Sequence, residues 1–169
     1  MSATVVVIGI GNRYRRDDGS ALLVLEALAG RLPIAIPVVD SDGDPTRLID
    51  SWTGADLAVV VETVRSGKPP GTVAVVDDDA LLGASEESGR SQGSHSLGLL
   101  EAIALGNAVG RLPRRLRVVG IEPEDLGWGD HVTDAVARGI EPAAALVLDL
   151  VHAADGRSLS RAPAYAGQP

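Results

Sequence analysis

The chain has 169 residues, of which 45% are hydrophobic and 22% charged, and its formal net charge is −8 at pH 7. It contains no cysteine, which excludes disulfides, thiolate chemistry and cysteine-ligated metals. Because it has three histidines, a metal site would need mainly oxygen ligands. The negative charge and an aromatic content of 2% disfavour nucleic-acid binding, which uses basic grooves and stacking rings. A small molecule, a metal or a protein remains as the partner.

The sequence also predicts the cellular location and the domain organisation of the protein. The first residues carry no basic segment before their short apolar run, and no stretch approaches the ~20 apolar residues that span a membrane. We therefore predict a cytoplasmic protein without a membrane partner. Its length predicts one domain over residues 1–154, a flexible tail over 155–169 without periodicity, and a monomer.

Strand and helix patterns alternate along most of the chain. Short apolar runs, rich in β-branched residues, predict strands over residues 4–10, 34–39, 57–64, 72–76 and 116–121. Apolar residues at helical spacing predict helices over residues 21–32, 45–52, 97–104 and 133–151. Pro142 removes one backbone donor and is expected to kink or split the last helix.

This alternation is typical of βαβ crossovers, which place parallel strands in one sheet with helices on its faces. We therefore predict an α/β fold, a single-domain three-layer αβα sandwich around a twisted, mostly parallel sheet of about five strands. Ligands of such sheets bind where loops leave the carboxyl ends of the strands. Polar side chains gather at those ends: Asn12, Asp17 and Asp18 after the first strand, Asp40 and Asp42 after the second, Glu62 in the third, and His95 before a helix.

Two familiar interpretations of these residues fail on detail. A dinucleotide-binding turn would continue Gly9-x-Gly11 with a third glycine, where Tyr14 stands, and the acids that open the next helix would repel a pyrophosphate. The segment from Ser94 to Gly98 is similar to the nucleophile elbow of serine hydrolases. That elbow follows a strand directly, whereas here a long polar loop precedes it.

The remaining interpretation is a metal or a water held by Asp18, Glu62 and His95. Two carboxylates and one imidazole suit a divalent metal such as zinc or nickel and leave positions open for a substrate. Each residue also has a structural alternative. Asp18 could complement a helix N-terminus, His95 could cap a helix, and Glu62, inside an apolar strand, could pair with an arginine.

Taken together, the motifs of the chain resemble those of the hydrogenase maturation protease family, in one register from residue 4 to 153. Family-like segments are Gly9-Ile10-Gly11-Asn12, Asp17-Asp18-Gly19, Asp40-Ser41-Asp42-Gly43, Val60-Val61-Glu62-Thr63, Pro70-Gly71-Thr72, Ser94-His95-Ser96-Leu97-Gly98-Leu99 and Val119-Gly120-Ile121-Glu122-Pro123-Glu124. Members of this family are endopeptidases that remove the C-terminal extension from the large subunit of nickel-iron hydrogenases.

The resemblance implies that Asp18, Glu62 and His95 are the metal-binding and catalytic residues. It also implies that the metal is the nickel already installed in the hydrogenase precursor, which is the expected partner. Whether the metal activates the peptide bond, or only docks the substrate while a carboxylate acts as general base, stays open. A non-catalytic module that binds the metal or the precursor's tail is the alternative function.

Two departures from the family pattern lie at the proposed site. The third-strand acid is usually Asp in the family and is Glu62 here, whereas the helix-opening acid is the shorter Asp18. We hypothesise that the longer Glu62 and the shorter Asp18 compensate each other. The distance between their carboxylates across the site is then the same as in the family. Ser41 and Asp42 replace a glycine pair and add side chains beside the cleft.

Three surface features are interpreted as structural. The arginines 13, 15 and 16 are expected in a solvated loop, with steering of an acidic partner as the alternative. Trp128, in a loop with His131, is expected to pack its ring over the sheet edge rather than contact substrate. The acidic loop over residues 77–94 is expected to be a mobile flank.

Overall fold

One sheet of five strands organises the described part of the chain. The structure is a computed structural model and describes residues 3–77, 80 and 94–156, with backbone alone for 94–97. The strands are β1 Val5–Ile10, β2 Val38–Ser41, β3 Leu57–Thr63, β4 Val73–Asp77 and β5 Leu116–Ile121. The α-helices within these residues are α1 Ser20–Ala27, α2 Pro45–Trp52, α3 Ser94–Ala108 and α4 Asp134–Ala154, and a short 3-10 helix covers Arg16–Gly19.

The strand order is β2-β1-β3-β5-β4, and all neighbours are parallel except β4, which is antiparallel to β5. This confirms the predicted mostly parallel sheet. A parallel strand would need a crossover, usually a helix, that returns the chain to the amino end of the sheet. The connection from β3 to β4 contains no helix, so β4 runs in the reverse direction.

Helices cover the sheet on both faces, as predicted for a three-layer sandwich. Alternate side chains of β3 enter two separate cores. Val59 and Val61 pack with α1 and α4 on one face, whereas Ala58 and Val60 pack with α2 and α3 on the other. Because both faces are covered, every residue of β1 and β3 is buried, which explains their continuous apolar runs.

The second strand and the first helix have bounds that differ from the predicted ones. The second strand lies over Val38–Ser41 rather than residues 34–39, and Ile34 is fully exposed in a turn before this edge strand. The first helix ends at Ala27 rather than near residue 32, because the chain turns at Gly30, whose φ is +74°.

Of the kink or split predicted at Pro142, the split is wrong, since α4 is continuous through the proline, and the kink stays a prediction. Val136 before the proline and Val147 after it are both buried on the same face of the sheet, and this packing offsets the lost hydrogen bond.

None of the helices in residues 3–77 and 94–156 combines the length and the apolar character needed to cross a bilayer. Most of the loop predicted over residues 77–94, and the tail beyond residue 156, lie outside the described residues.

Candidate functional site

The chain changes direction across the sheet between β1 and β3. From β1 it passes through α1 to β2 on one side, and from β2 it passes through α2 to β3 on the other side of β1. The carboxyl ends of β1 and β3 therefore border a crevice, which is where open α/β sheets bind their ligands. Asp18 follows β1, and Glu62 is the next-to-last residue of β3.

Asp18 is held at this crevice by close packing of the backbone. Its side chain is buried, with 2% exposure, and its Oδ1 accepts a hydrogen bond of 3.1 Å from the Thr63 hydroxyl at the end of β3. A Cβ at Gly11 would lie 2.1 Å from the Asp18 carbonyl oxygen, so only glycine permits this approach. The glycine motif after β1 therefore packs the chain against itself.

Glu62 reaches the same edge on the other face of β3. It is 2% exposed and lies opposite Gly120 of β5. Because side chains alternate along a strand, Glu62 shares the face of Val60, toward α2 and α3, whereas Thr63 faces Asp18. Glu62 itself and the next residue, Thr63, which donates to Asp18, thus place both predicted acids at the crevice.

The backbone of His95 lies in the first turn of α3, and its side chain is outside the described residues. Gly98, one turn further on, packs so closely on the loop after β2 that a Cβ there would lie 2.2 Å from the Gly43 carbonyl oxygen. This contact brings the start of α3 to the carboxyl edge of the sheet. Among the described side chains, which do not include that of His95, no group of three or more acids and histidines could hold a metal. The Asp18, Glu62 and His95 set therefore stays a prediction.

Asp17 has a structural role that its place in the sequence does not reveal. Its fully buried carboxylate accepts hydrogen bonds from the backbone N–H groups of Glu124, Asp125 and Thr133, at 2.8, 2.7 and 2.7 Å. The Thr133 hydroxyl donates to it as well, at 3.0 Å. Asp17 therefore connects the loop between β5 and α4 to the 3-10 helix that carries Asp18. The sequence shows two adjacent acids, and nothing in it distinguishes this one.

The loop of residues 12–16 and the loop of residues 122–133 are joined by further contacts. Arg16 pairs with Asp125 and donates from Nε to the Trp128 carbonyl oxygen at 3.2 Å. The Gly127 N–H and the Arg16 guanidinium hold the pKa of the Asp125 carboxyl below its ordinary value of 3.8. Arg13 also forms an ion pair, with Glu26. Two of the three arginines predicted in a solvated loop are thus ion-paired.

Trp128 does not pack over the sheet edge, so that prediction is wrong. Its side chain is 77% exposed, with the Arg15 guanidinium 5.9 Å from the ring centroid. The backbone of residues 125–129 is fixed to the arginine loop, and this places the ring above the surface.

A groove of about 760 Å³ adjoins the crevice at the ends of β1 and β2. Polar and charged residues dominate its lining, which includes Asn12, Tyr14, Asp40, Ser41, Asp42 and Arg47. Ser41 Oγ accepts a hydrogen bond from the Gly43 N–H at 3.1 Å, and Asp42 Oδ1 accepts one from the Asp44 N–H at 3.2 Å. The side chains of Ser41 and Asp42 therefore stabilise the turn beside this groove.

Glu122 fixes the connection between β3 and β4 at the same edge. It is 7% exposed and accepts hydrogen bonds from the Ser66 N–H and hydroxyl and from the Gly67 N–H, at 2.6 to 3.1 Å. Burial raises the pKa of the Glu122 carboxyl, but these hydrogen bonds outweigh it and leave the pKa below its ordinary value of 4.5.

Known proteins share both the sequence and the fold. The family described as hydrogenase maturation protease matches residues 23–150, a segment that includes Glu62 and His95 and begins after Asp18. The hydrogenase expression/formation protein HupD of Thiocapsa roseopersicina is 30% identical over 86% of this chain, which spans 66% of that relative's length. The hydrogenase 2 maturation protease of Escherichia coli is 28% identical over 85% of this chain and 88% of its own length.

The fold agrees with these matches. The hydrogenase maturating endopeptidase HybD from E. coli superposes with a TM-score of 0.80 and 25% identity, over 90% of this chain and 93% of that one. The five-stranded sheet, the crevice between β1 and β3 and the match over three quarters of the sequence agree with one another. The chain therefore belongs to the hydrogenase maturation protease family.

Proposed function

We propose that this protein is an endopeptidase that removes the C-terminal extension of a nickel-iron hydrogenase large-subunit precursor after nickel insertion. One observation carries the proposal. Two carboxylates, Asp18 and Glu62, are buried at the β1/β3 crevice, and the first turn of α3, with His95, leads to the same edge. Family membership supplies the reaction class, and the crevice supplies the place where it would occur.

The three side chains suit a metal that arrives with the substrate. Carboxylate oxygens and an imidazole nitrogen are acceptable ligands for nickel, and three of them leave coordination positions for groups of the precursor. A metal held in this way supplies electrophilic polarisation of a carbonyl or a more acidic water. We propose that the protease thereby distinguishes a precursor with nickel from one without it.

The chain's own residues would orient the reacting groups. The Thr63 hydroxyl donates to Oδ1 of Asp18 at 3.1 Å and so restricts the orientation of this carboxylate. A carboxylate within hydrogen-bond reach of a bound water can take its proton as general base. Burial of both acids keeps bulk water from this part of the crevice and strengthens their electrostatic interactions.

The exchange of side-chain lengths between the two acids supports a fixed span across the crevice. The longer Glu62 lies in the central strand β3, whereas the shorter Asp18 lies in the 3-10 helix that precedes α1. We propose that the two compensate each other, which keeps both oxygens at one metal.

The decisive assay uses precursor with and without nickel. We expect the protein to cleave nickel-loaded precursor, as seen by the mass of the released extension, and to leave nickel-free precursor intact. His95→Ala should lose cleavage, whereas Ile34→Ala, a fully exposed position before β2, should retain it. Cleavage that ignores nickel or survives His95→Ala contradicts the proposed site. Stable co-purification with uncut, nickel-loaded precursor favours the alternative of a non-catalytic binding module.

A further inference from the structure

Two aromatic side chains stand exposed beside the crevice, and we call them the aromatic ridge. Tyr14 is 70% exposed and Trp128 is 77% exposed. The chain has four aromatic residues in all, and Trp52, the other one in the described residues, is completely buried. Single exposed apolar side chains are common, whereas neighbouring exposed apolar groups indicate a site of contact with another protein.

Hydrogen bonds fix the backbone that carries the ridge before any partner binds. The Gly129 N–H donates to the Tyr14 carbonyl oxygen, and the Arg16 N–H donates to the Gly129 carbonyl oxygen, both at 3.0 Å. Asp17 anchors the start and the end of the Trp128 loop from inside. A surface that is already ordered loses little conformational entropy on binding, so its contacts contribute more to affinity.

The ridge is continuous with the candidate site. Tyr14 lies four residues before Asp18 and also lines the groove at the ends of β1 and β2. A stable protein interface covers roughly 800 Å² on each partner. A folded partner that presents a peptide bond at Asp18 therefore covers the neighbouring ridge as well.

Shape and charge indicate which part of a substrate would bind there. A projecting ring fits a pocket in a folded surface, whereas an extended peptide fits a concave groove such as the one beside Tyr14. Arg15 lies next to the Trp128 ring, and its guanidinium forms no ion pair with the acids of residues 3–77 and 94–156. The guanidinium donates from Nη2 to the Leu126 carbonyl oxygen at 2.9 Å, and its positive charge is not neutralised by an acid of these residues.

We propose that the aromatic ridge docks the folded body of the hydrogenase large-subunit precursor, through an apolar pocket bordered by carboxylates. This inference rests on the proposed function and deepens it. Trp128 is the anchor, because it is the more exposed ring and the one beside Arg15. The ridge determines which precursor is accepted and takes no part in the chemical step.

The two tryptophans provide a direct test. Protease labelled with 5-fluorotryptophan has two fluorine resonances, one from buried Trp52 and one from exposed Trp128, which Trp128→Phe assigns. Unlabelled, nickel-loaded precursor should shift or broaden the Trp128 resonance and leave that of Trp52 in place. In the cleavage assay, Trp128→Ala should raise KM for the precursor about tenfold or more with little change in kcat. Ile34→Ala is the control for loss of an exposed apolar side chain.

Four outcomes would overturn the inference. If wild-type protease cleaves precursor while the Trp128 resonance and the KM of Trp128→Ala stay unchanged, the docking surface is wrong and the proposed function stands. A shift caused by the free extension peptide alone assigns the ridge to the extension. A shift that depends on protease concentration alone assigns it to self-association. Wild-type protease that neither binds nor cleaves nickel-loaded precursor overturns the proposed function, and the inference with it.

Discussion

Two groups of buried acids lie at the same edge of the sheet and differ in what surrounds them. Asp17 and Glu122 accept hydrogen bonds from several backbone N–H groups of neighbouring loops. Asp18 and Glu62 instead border the crevice between β1 and β3, where Asp18 accepts from the side-chain hydroxyl of Thr63. Burial alone therefore does not identify a functional carboxylate. Carboxylates that collect backbone donors hold neighbouring loops together, whereas those at the crevice are the ones that we propose for the reaction.

The strongest test of this difference is Asp18→Asn. If Asp18 serves the reaction, cleavage of nickel-loaded precursor should fall by about 10² to 10⁴-fold, the range for loss of a general base. The free energy of unfolding should fall less than in Asp17→Asn, because an amide oxygen can still accept the hydrogen bond from Thr63. Cleavage rates and urea denaturation measure the two effects. Retained cleavage would remove Asp18 from the site.

Asp17→Asn should show the opposite pattern. The amide keeps one acceptor oxygen and turns its NH₂ group toward backbone donors, so the variant should lose about 3 kcal/mol of unfolding free energy. Urea denaturation measures this loss. The matched control is Asp130→Asn, an exposed acid in the same loop, which should leave the free energy of unfolding unchanged. Equal stability of the two variants would contradict the structural role of Asp17.

Glu62→Asp tests the compensation between the two crevice acids. Shortening Glu62 opposite the already short Asp18 widens the ligand span, so cleavage of nickel-loaded precursor should fall about tenfold, the cost of about 1.4 kcal/mol in the transition state. Asp18→Glu in the Glu62→Asp background should restore part of the rate. A single Glu62→Asp variant that binds nickel more tightly and cleaves faster would disprove the compensation.

Glu122→Gln has the smallest expected effect and appears as a change with pH. Because the pKa of Glu122 is lower in the folded state than its ordinary 4.5, its contribution to stability is present above that value. The contribution is lost as pH falls through the folded-state pKa, when the carboxyl is protonated. Urea denaturation at several pH values should therefore show a smaller acid-induced loss for Glu122→Gln than for wild type. Glu101→Gln, on an exposed part of α3, should keep the wild-type slope.

The order of elements was predictable from local patterns. The helix over Pro45–Trp52 and the strand over Leu116–Ile121 have the predicted bounds, because a cap, a proline and a short apolar run are local features. Asp44 caps the helix through its Oδ1, which accepts hydrogen bonds from the N–H groups of Thr46 and Arg47. The predicted bounds of the edge strand β2 are wrong because its pairing with β1 decides where it starts. A short apolar run in the sequence does not contain that pairing.

The sequence by itself determined the α/β fold, the family and the edge of the sheet where the acids gather, because strand periodicity places the carboxyl ends of parallel strands together. Only the tertiary structure separated Asp17 from Asp18 and exposed Trp128. The donors that occupy Asp17 are 107 to 116 residues away in the chain, and the same long-range contacts hold Trp128 clear of the sheet. No local pattern contains contacts between residues so far apart in the sequence, so two adjacent and identical residues acquire different surroundings only when the chain has folded.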